Sequence, residues 1–283
     1  MNPFEFFIPQ NITVGAGTLA KLPECAKKLG GSHAMLISGP TLRKMGVVDK
    51  AADYLKDAGM AVDIFTDVEA NPSVTTVEKA TEAYKESGAD FIVALGGGSP
   101  MDVAKAVGVT AKYGGSITEY EGAHKVPGKI VPLIAIPTTA GTSSEITNVT
   151  ALTDTVAVCK YVVIDNKLVP SHVIADPEFT RTMPKSVTAA TGMDAITHAV
   201  ESYISNMATP LTEYNSIKGL QIFRENLPKA VADGNDMEAR ENMMLGCIIT
   251  GFGFSNANLG LVHGIAHTLS CLLYTSPSPR DST

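Results

Sequence analysis

Short runs of aliphatic and β-branched residues alternate with helical patterns up to about Pro184. The runs are HAMLIS, AVDIFT, DFIVALG, KIVPLIAIP, KYVVID and SHVIAD, and the segment from Val74 to Ser87 between two of them has helical periodicity. Strands separated by helices indicate βαβ units and therefore a parallel sheet. Because ligands of such sheets bind beyond the carboxyl ends of the strands, we expect a binding site at that edge.

The sequence after Pro184 contains only helical patterns, and both pairs of closely spaced metal-ligand residue types fall in this half. Amphipathic patterns cover residues 186–205, 212–223, 237–254 and 258–270. This change predicts an α/β nucleotide-binding domain over residues 1–184 and an all-α metal-binding domain over residues 185–270. In residues 271–283 prolines and hydroxyl residues replace the helical pattern, which predicts a non-native or disordered tail.

Composition excludes several classes of protein. The chain has 283 residues, of which 45% are hydrophobic, so it can bury a sizeable core. Its net charge of −7 argues against nucleic acid and anionic membranes as partners. The four cysteines lack CxxC spacing, and the N-terminus lacks a basic segment followed by an apolar one. These features predict a soluble cytoplasmic protein with free thiols.

Two loops in the first half have the composition of phosphate-binding turns. DFIVALGGGSPMDVAKAVG predicts a strand over Phe91–Leu95, a turn at Gly96, Gly97 and Gly98, and then a helix with Ser99 as its N-cap. The free N–H groups of that helix would bind a pyrophosphate, although a tight βα turn without a ligand is the alternative. The hydroxyl-rich segment 135–145 would bind phosphate or ribose, or form an ordinary loop.

Two pairs of residues at helical spacing indicate a metal site in the second half. Asp194 and His198 are four residues apart, as are His263 and His267, so the members of each pair share a helix face. Two facing helices could enclose a divalent cation, whereas a buried, hydrogen-bonded histidine is the simpler alternative. The small residues that flank both pairs favour the metal. Imidazole and carboxylate ligands suit Fe²⁺, Zn²⁺ or Mn²⁺.

These motifs together resemble the iron-containing (group III) alcohol dehydrogenase family. The resemblance covers roughly residues 4–270 and rests on GGGSPMDVAK, PTTAGTSSE, TGMDAITHAVE and GLVHGIAHTLS in the family's order and spacing. It implies a nucleotide domain of dehydroquinate-synthase-like fold followed by a helical metal domain. It also implies NAD and a catalytic Fe²⁺ as cofactors, interconversion of primary alcohols and aldehydes, and a homodimer.

The resemblance also assigns roles to individual residues. It implies that Asp194, His198 and His263 bind the metal and that His267 lies beside the substrate. The implied cofactor contacts are Asn71, Gly96, Gly97, Gly98, Ser99, Thr138, Thr139 and Lys160, with the last at the ribose. Asp102 either tunes the cofactor or proton path or serves as a carboxylate in the first turn of its helix.

The chain departs from the family at the adenosine ribose. Many NAD-preferring members place an aspartate at the end of the first strand, where this chain has Gly39 and Pro40. A 2′-phosphate is then not repelled, so NADP stays open. NAD is favoured because no arginine follows directly, although Arg43 and Lys44 are close.

A second departure concerns the fourth metal ligand. Family members supply a histidine from a PHG segment about fourteen residues after His263, where this chain has Pro277. They also continue for roughly a hundred helical residues. We therefore expect an N-terminal portion joined to an unrelated tail, with an incomplete metal site.

Three other interpretations stay open. The chain could be a relative of glycerol dehydrogenase or dehydroquinate synthase, which would share the fold and the metal. It could be a nucleotide-binding module with a vestigial metal site. It could also be a catalytically incompetent fragment in which apolar faces such as residues 247–254 are exposed for lack of partners.

Overall fold

A parallel sheet forms the first half of the protein, as a computed structural model of residues 3–155 and 159–273 shows. Its strands are β1 (Asn11–Val14), β2 (His33–Ile37), β3 (Ala61–Phe65), β4 (Phe91–Gly96), β6 (Leu133–Pro137) and β9 (His172–Ala175). They lie in the order β1-β9-β6-β4-β2-β3, and every pairing is parallel. Because the chain reverses its direction of winding between β2 and β4, the crevice between their carboxyl ends is the expected ligand site.

Helices cover both faces of this sheet and then form the second half. They are α1 (Leu22–Lys28), α2 (Pro40–Lys44), α3 (Val47–Asp57), α4 (Val74–Ser87), α5 (Gly98–Tyr113), α6 (Lys185–Ile204), α7 (Pro210–Ala232), α8 (Met237–Ala257) and α9 (Leu261–Leu273). Short 3-10 helices cover Thr18–Lys21, Ile117–Tyr120, Asn166–Leu168 and Pro177–Thr180. The predicted fold class, an α/β domain followed by helices, is confirmed.

Strand β4 is buried over its whole length because helices pack on both of its faces. Ile92 and Ala94 belong to the hydrophobic cluster beneath α4 and α5, while Val93 and Leu95 belong to the cluster beneath α1 and α3. This alternation explains why the segment reads as an unbroken apolar run rather than as a polar and apolar repeat. The strand therefore holds the glycine turn that follows it between two packed layers.

A second, three-stranded sheet was not predicted. Strand β8 (Cys159–Ile164) pairs antiparallel with β7 (Val149–Asp154) and parallel with the two-residue strand β5 (Gly122–Ala123). The run KYVVID is thus a strand, but it lies outside the main parallel sheet. The strand in KIVPLIAIP begins only at Leu133.

Helices α6, α7 and α8 pack around a separate core. Ala195, Ala199, Phe223, Met243 and Cys247 are buried there. Helix α7 extends to Ala232, beyond the predicted end at residue 223, and it contains Pro228 within its last turns. Proline usually ends a helix because it lacks an N–H and its ring clashes with the preceding turn. The predicted end of α7, which lies before Pro228, is therefore too early.

The exposure of residues 247–254 that the fragment alternative implies is not observed. Cys247 and Phe254 are only 1% and 6% exposed, since the face of α8 that carries them packs against α6, α7 and β9. The most exposed large apolar side chains among the described residues are Leu261 on α9, Ile204 on α6 and Tyr214 on α7.

Within the described ranges, no single helix has both the length and the hydropathy needed to cross a membrane. Helices α8 and α9 meet those criteria only when they are joined, and their axes are bent by 97° relative to each other.

Candidate active site

The glycine turn after β4 requires a residue without a side chain at its first position. Gly96 has φ of +153°, and a Cβ there would lie 2.6 Å from Cγ of Pro100. Helix α5 begins at Gly98 with Gly97 as its N-cap residue, so the prediction that Ser99 caps this helix is wrong. No side chain at Gly97 caps the helix. The electropositive N-terminus of α5 is therefore suited to binding an anion.

Asp102 joins α5 to the neighbouring loop and strand. Its Oδ1 accepts a hydrogen bond from the Ser144 hydroxyl at 3.0 Å, and its Oδ2 accepts one from the Ala151 N–H at 3.3 Å. Its carbonyl accepts a third from the hydroxyl of Thr150 at 2.9 Å. Asp102 lies beyond the first turn of α5, so its predicted role as a first-turn carboxylate is wrong.

A fully buried lysine binds the same loop from one turn further along α5. Nζ of Lys105 donates to the carbonyls of Ser144 and Val149 at 2.6 and 2.8 Å. It also contacts the hydroxyls of Ser144 and Thr147 at 3.2 and 3.1 Å. Lys105 is 0% exposed, and the helix around it is buried on all sides. A buried ammonium is stable only with such partners, so this lysine fixes the loop to the helix.

Glu145, the next residue of that loop, is buried and titrates near neutrality. Burial raises its pKa from 4.5 to about 7, while a backbone hydrogen bond and the charge of Lys105 oppose the shift. A raised pKa in the folded state means that the carboxyl stabilises the fold below pH 4.5 and loses that contribution as the pH rises through 7. The shift corresponds to about 3 kcal/mol.

We therefore expect Glu145→Gln to raise the free energy of unfolding by less than about 1 kcal/mol at pH 5 and by up to about 3 kcal/mol at pH 8. Urea denaturation at both pH values measures this difference. Glu24→Gln is the control because Glu24 is exposed and its pKa is lowered by its hydrogen bond with Lys28, so it stays ionised over this range. A gain for Glu145→Gln that does not vary with pH would contradict the prediction.

The other predicted cofactor residues lie beside the glycine turn or pair with each other. The N–H of Thr138 donates to the carbonyl of Gly96 at 3.0 Å, which places the hydroxyl-rich segment directly beside the glycine turn. Thr138 and Thr139 are both buried. Lys160 donates to Oδ1 of Asn71 at 2.5 Å, and Asn71 has a positive φ of 53°. The structure thus joins the predicted residues in two contacting groups.

The three predicted metal ligands converge. One potential ligand atom from each of Asp194, His198 and His263 lies within 4.8 Å of the other two. Oδ1 of Asp194 is 3.4 Å from Nε2 of His263, and its Oδ2 is 3.7 Å from Nδ1 of His198. The two imidazole rings stack with centroids 4.4 Å apart, and the ring of Phe254 stacks on the other side of His198. Helices α6 and α9 therefore present two nitrogens and one oxygen to a common point.

Two carboxylates surround His263 and control its charge. Burial disfavours its protonation, but hydrogen bonds and charges from Asp194 and Glu201 outweigh that effect and raise its pKa. Burial likewise opposes ionisation of Glu201, yet hydrogen bonds from His263, Gly260 and Val262 lower its pKa. This environment attracts positive charge, whether a proton or a metal cation.

A cleft of about 290 Å³ lies between the small sheet and helices α8 and α9. His263 and His267 line it together with apolar side chains that include Val149, Val162 and Phe254. The ring centroid of His267 is 5.9 Å from that of His263. Ala151 lines the cleft and its N–H donates to Asp102, so a hydrogen bond connects α5 to the strand that forms one wall of the cleft.

Two family models match the chain in succession. The model of iron-containing alcohol dehydrogenase matches residues 9–177, and the C-terminal model of the Fe-containing alcohol dehydrogenase family matches residues 188–276. The chain belongs to the iron-containing alcohol dehydrogenase family. The resemblance inferred from its motifs is thereby confirmed.

Members of the family with assigned activities are similar over most of the chain. The NAD-dependent methanol dehydrogenase of Bacillus methanolicus is 40% identical over 262 residues, which are 93% of this chain and 69% of that protein. The 1,3-propanediol dehydrogenase of Citrobacter freundii is 40% identical over 271 residues, which are 95% of this chain and 70% of that protein.

Solved structures of the family share the fold. A 1,3-propanediol oxidoreductase superposes with a TM-score of 0.95 at 39% identity, covering 98% of this chain and 72% of that one. Sulfoacetaldehyde reductase from Bifidobacterium kashiwanohense, solved in complex with NAD⁺, gives a TM-score of 0.92 at 31% identity and covers 99% of this chain and 74% of that one.

Sequence reasoning missed two charged residues at this site. Glu201 follows Asp194 and His198 at the spacing of a further helical turn, a pattern that was visible in TGMDAITHAVE. Lys105 lies inside a helix rich in small and apolar residues, which is an unusual place for a charged side chain. Residues 271–273 of the predicted tail continue helix α9, so the tail does not begin at residue 271. Residues 274–283, which include Pro277, lie outside the described residues.

Proposed function

We propose that this protein catalyses the NAD-dependent interconversion of primary alcohols and aldehydes, with a divalent metal held by Asp194, His198 and His263. The convergence of these three side chains, of which His263 lines the 290 Å³ cleft, carries the proposal. Membership of the iron-containing family and the activities of its similar members support it.

The donor set fits the proposed cation. Two imidazole nitrogens and one carboxylate oxygen suit Fe²⁺, with Zn²⁺ or Mn²⁺ as alternatives. Three protein ligands leave positions free for a substrate oxygen, as in catalytic zinc sites. A cation bound there supplies a Lewis acid that favours the anionic form of the alcohol oxygen. His267, on the next turn of α9 from His263, borders the same cleft and would position the substrate or accept its proton.

The chain also fits the dinucleotide. We propose that the pyrophosphate binds at Gly96, Gly97, Gly98 and Ser99, where a Cβ at Gly96 would collide with Pro100 and the start of α5 is open. Thr138, Thr139, Asn71 and Lys160 would contact the remainder of the cofactor. The bound nicotinamide supplies the hydride acceptor. A role of Asp102 in the cofactor or proton path remains a prediction, while its hydrogen bonds support positioning of the loop.

The surroundings of Gly39 support NAD over NADP. Gly39, Pro40 and Glu69 line a small cavity beside Pro100 of the phosphate helix. The carboxylate of Glu69 would repel a 2′-phosphate there. Arg43, which could otherwise bind that phosphate, is paired with Asp49 at 2.7 Å.

The proposal is tested by NAD⁺-linked oxidation of short primary alcohols. We expect NADH formation that a chelator abolishes and that Fe²⁺ restores, with lower rates when NADP⁺ replaces NAD⁺. Stabilisation by NAD⁺ without any dependence on metal would instead indicate a nucleotide-binding module. A ring-forming lyase activity without net cofactor turnover would indicate a dehydroquinate-synthase relative.

Two further expectations belong to this proposal. Residues 1–184 and 185–270 would form the nucleotide domain and the metal domain. We also propose a homodimer in a reducing compartment such as the cytoplasm, and the buried thiols of Cys25 and Cys247 support that location.

A further inference from the structure

Glu201 lies on the ligand-bearing face of α6 without belonging to the ligand set. It follows Asp194 and His198 at positions i+7 and i+3 and is only 4% exposed. A carboxylate that is buried this deeply needs hydrogen-bond donors for its oxygens. The donors come from the beginning of α9, the helix that carries His263.

Both oxygens of Glu201 are used by that helix. Oε2 lies 2.5 Å from Nδ1 of His263, and Oε1 accepts a hydrogen bond from the N–H of Val262 at 2.6 Å. Gly260 permits this close approach, since a Cβ on that residue would lie 3.1 Å from Oε1 of Glu201. The carboxylate is therefore held in one orientation by two adjacent residues.

The contact determines which nitrogen of His263 faces the metal ligands. An ionised carboxylate only accepts hydrogen bonds, so Nδ1 of His263 must carry the proton in this contact. Nε2, which lies 3.4 Å from Oδ1 of Asp194, is then the nitrogen whose lone pair is available to a cation.

We propose that Glu201 is a positioning residue that orients His263 and fixes its tautomer so that Nε2 binds the metal. This inference rests on the proposed metal site. A carboxylate in such a position also increases the basicity of the ligating imidazole, and removal of such partners typically weakens metal binding about 10- to 100-fold.

The tautomer can be read without any substitution at Glu201. In the zinc-loaded protein with ¹⁵N-labelled histidine, we expect the chemical shifts of His263 to show a protonated Nδ1 and a metal-bound Nε2. The His263→Gln spectrum assigns these signals. Coordination of zinc through Nδ1 of His263 would overturn the inference.

The variant Glu201→Gln tests the effect on affinity. A glutamine has one acceptor oxygen and cannot serve both Val262 and His263, and its amide can donate to Nδ1 and impose the opposite tautomer. We expect the Kd for zinc to rise about 10- to 100-fold, together with altered ¹⁵N shifts of His263. Glu213→Gln, an exposed residue in the first turn of α7, is the matched control and should change neither.

A second variant distinguishes a failure of the role proposed for Glu201 from a failure of the proposed metal site. His198→Ala should weaken zinc binding if the metal site exists. If His198→Ala weakens it and Glu201→Gln does not, the role of Glu201 is refuted and the metal site stands. If the parent protein fails to bind zinc or His198→Ala binds it equally well, the proposed metal site itself is refuted.

Discussion

Replacing His198 by alanine should weaken the binding of divalent metal at least 100-fold. His198 is 1% exposed and supplies one of the three convergent ligand atoms. Structural zinc sites with four ligands bind with roughly 10–16 kcal/mol, so one ligand contributes on the order of 3 kcal/mol, or about a 100-fold change in Kd. Titration against a competing chelator measures the affinity, and NADH formation from a primary alcohol should fall with metal content.

His33→Ala is the matched control for this substitution. His33 also contacts a carboxylate, with 2.7 Å between its Nε2 and Asp63, but it lies at the beginning of β2, away from the carboxyl ends of the strands. Its removal should leave metal affinity and alcohol oxidation unchanged. An unaltered Kd in His198→Ala would contradict the assignment of this residue as a ligand.

The second large effect is expected for Lys105→Met. Methionine keeps the length of the side chain but removes the ammonium that donates to the Ser144 and Val149 carbonyls. Removing one partner of a buried charged network typically costs about 3–5 kcal/mol, because the remaining polar groups stay buried without hydrogen bonds. Chemical denaturation followed by circular dichroism should show a loss of that size.

The same substitution should also weaken cofactor binding, since Lys105 holds the loop whose N-terminal end, at Thr138, contacts the glycine turn. A titration of NADH fluorescence measures this affinity. Lys112→Met is the control on the same helix, because Lys112 is exposed and donates to the carbonyl of Lys129 at the protein surface. The control should change stability by no more than about 0.5 kcal/mol. A decrease of less than 1 kcal/mol in the free energy of unfolding of Lys105→Met would contradict the role of Lys105 in fixing the loop to α5.

Local patterns were sufficient for five of the six described strands of the main sheet and for most helices, while β1 (Asn11–Val14) was not predicted. Helix α4 has the predicted bounds of Val74 to Ser87, because its N-cap at Ser73 and the left-handed Gly88 define both ends within the segment itself. Strand β7 was missed because Val149–Asp154 contains three polar residues and is held by its pairing with β8, which no local pattern records. A helix or strand could therefore be predicted from the sequence where it depends on residues close to it in the chain.

The candidate site shows the same division. The i, i+4 spacing of Asp194 and His198 follows from helical geometry and was readable directly. Their meeting with His263 depends on the packing of α9 against α6, which brings together residues more than sixty positions apart. The predicted N-cap of α5, Ser99, lies two positions after the observed one, Gly97, because Ser99 has the side chain typical of a cap while the turn at Gly96 starts the helix earlier.

Because few residues of α9 are buried, we expect the order of this helix to depend on the concentration of free metal. Between Leu261 and Ser270 only His263 and Ser270 are buried, so little apolar surface secures the helix to the rest of the protein. A cation bound by His263 and the two ligands of α6 would stabilise the docked position of α9, and this stabilisation grows with the metal concentration. Each tenfold increase in free metal above the dissociation constant then adds about 1.4 kcal/mol to its docking, which amide hydrogen exchange along α9 would register.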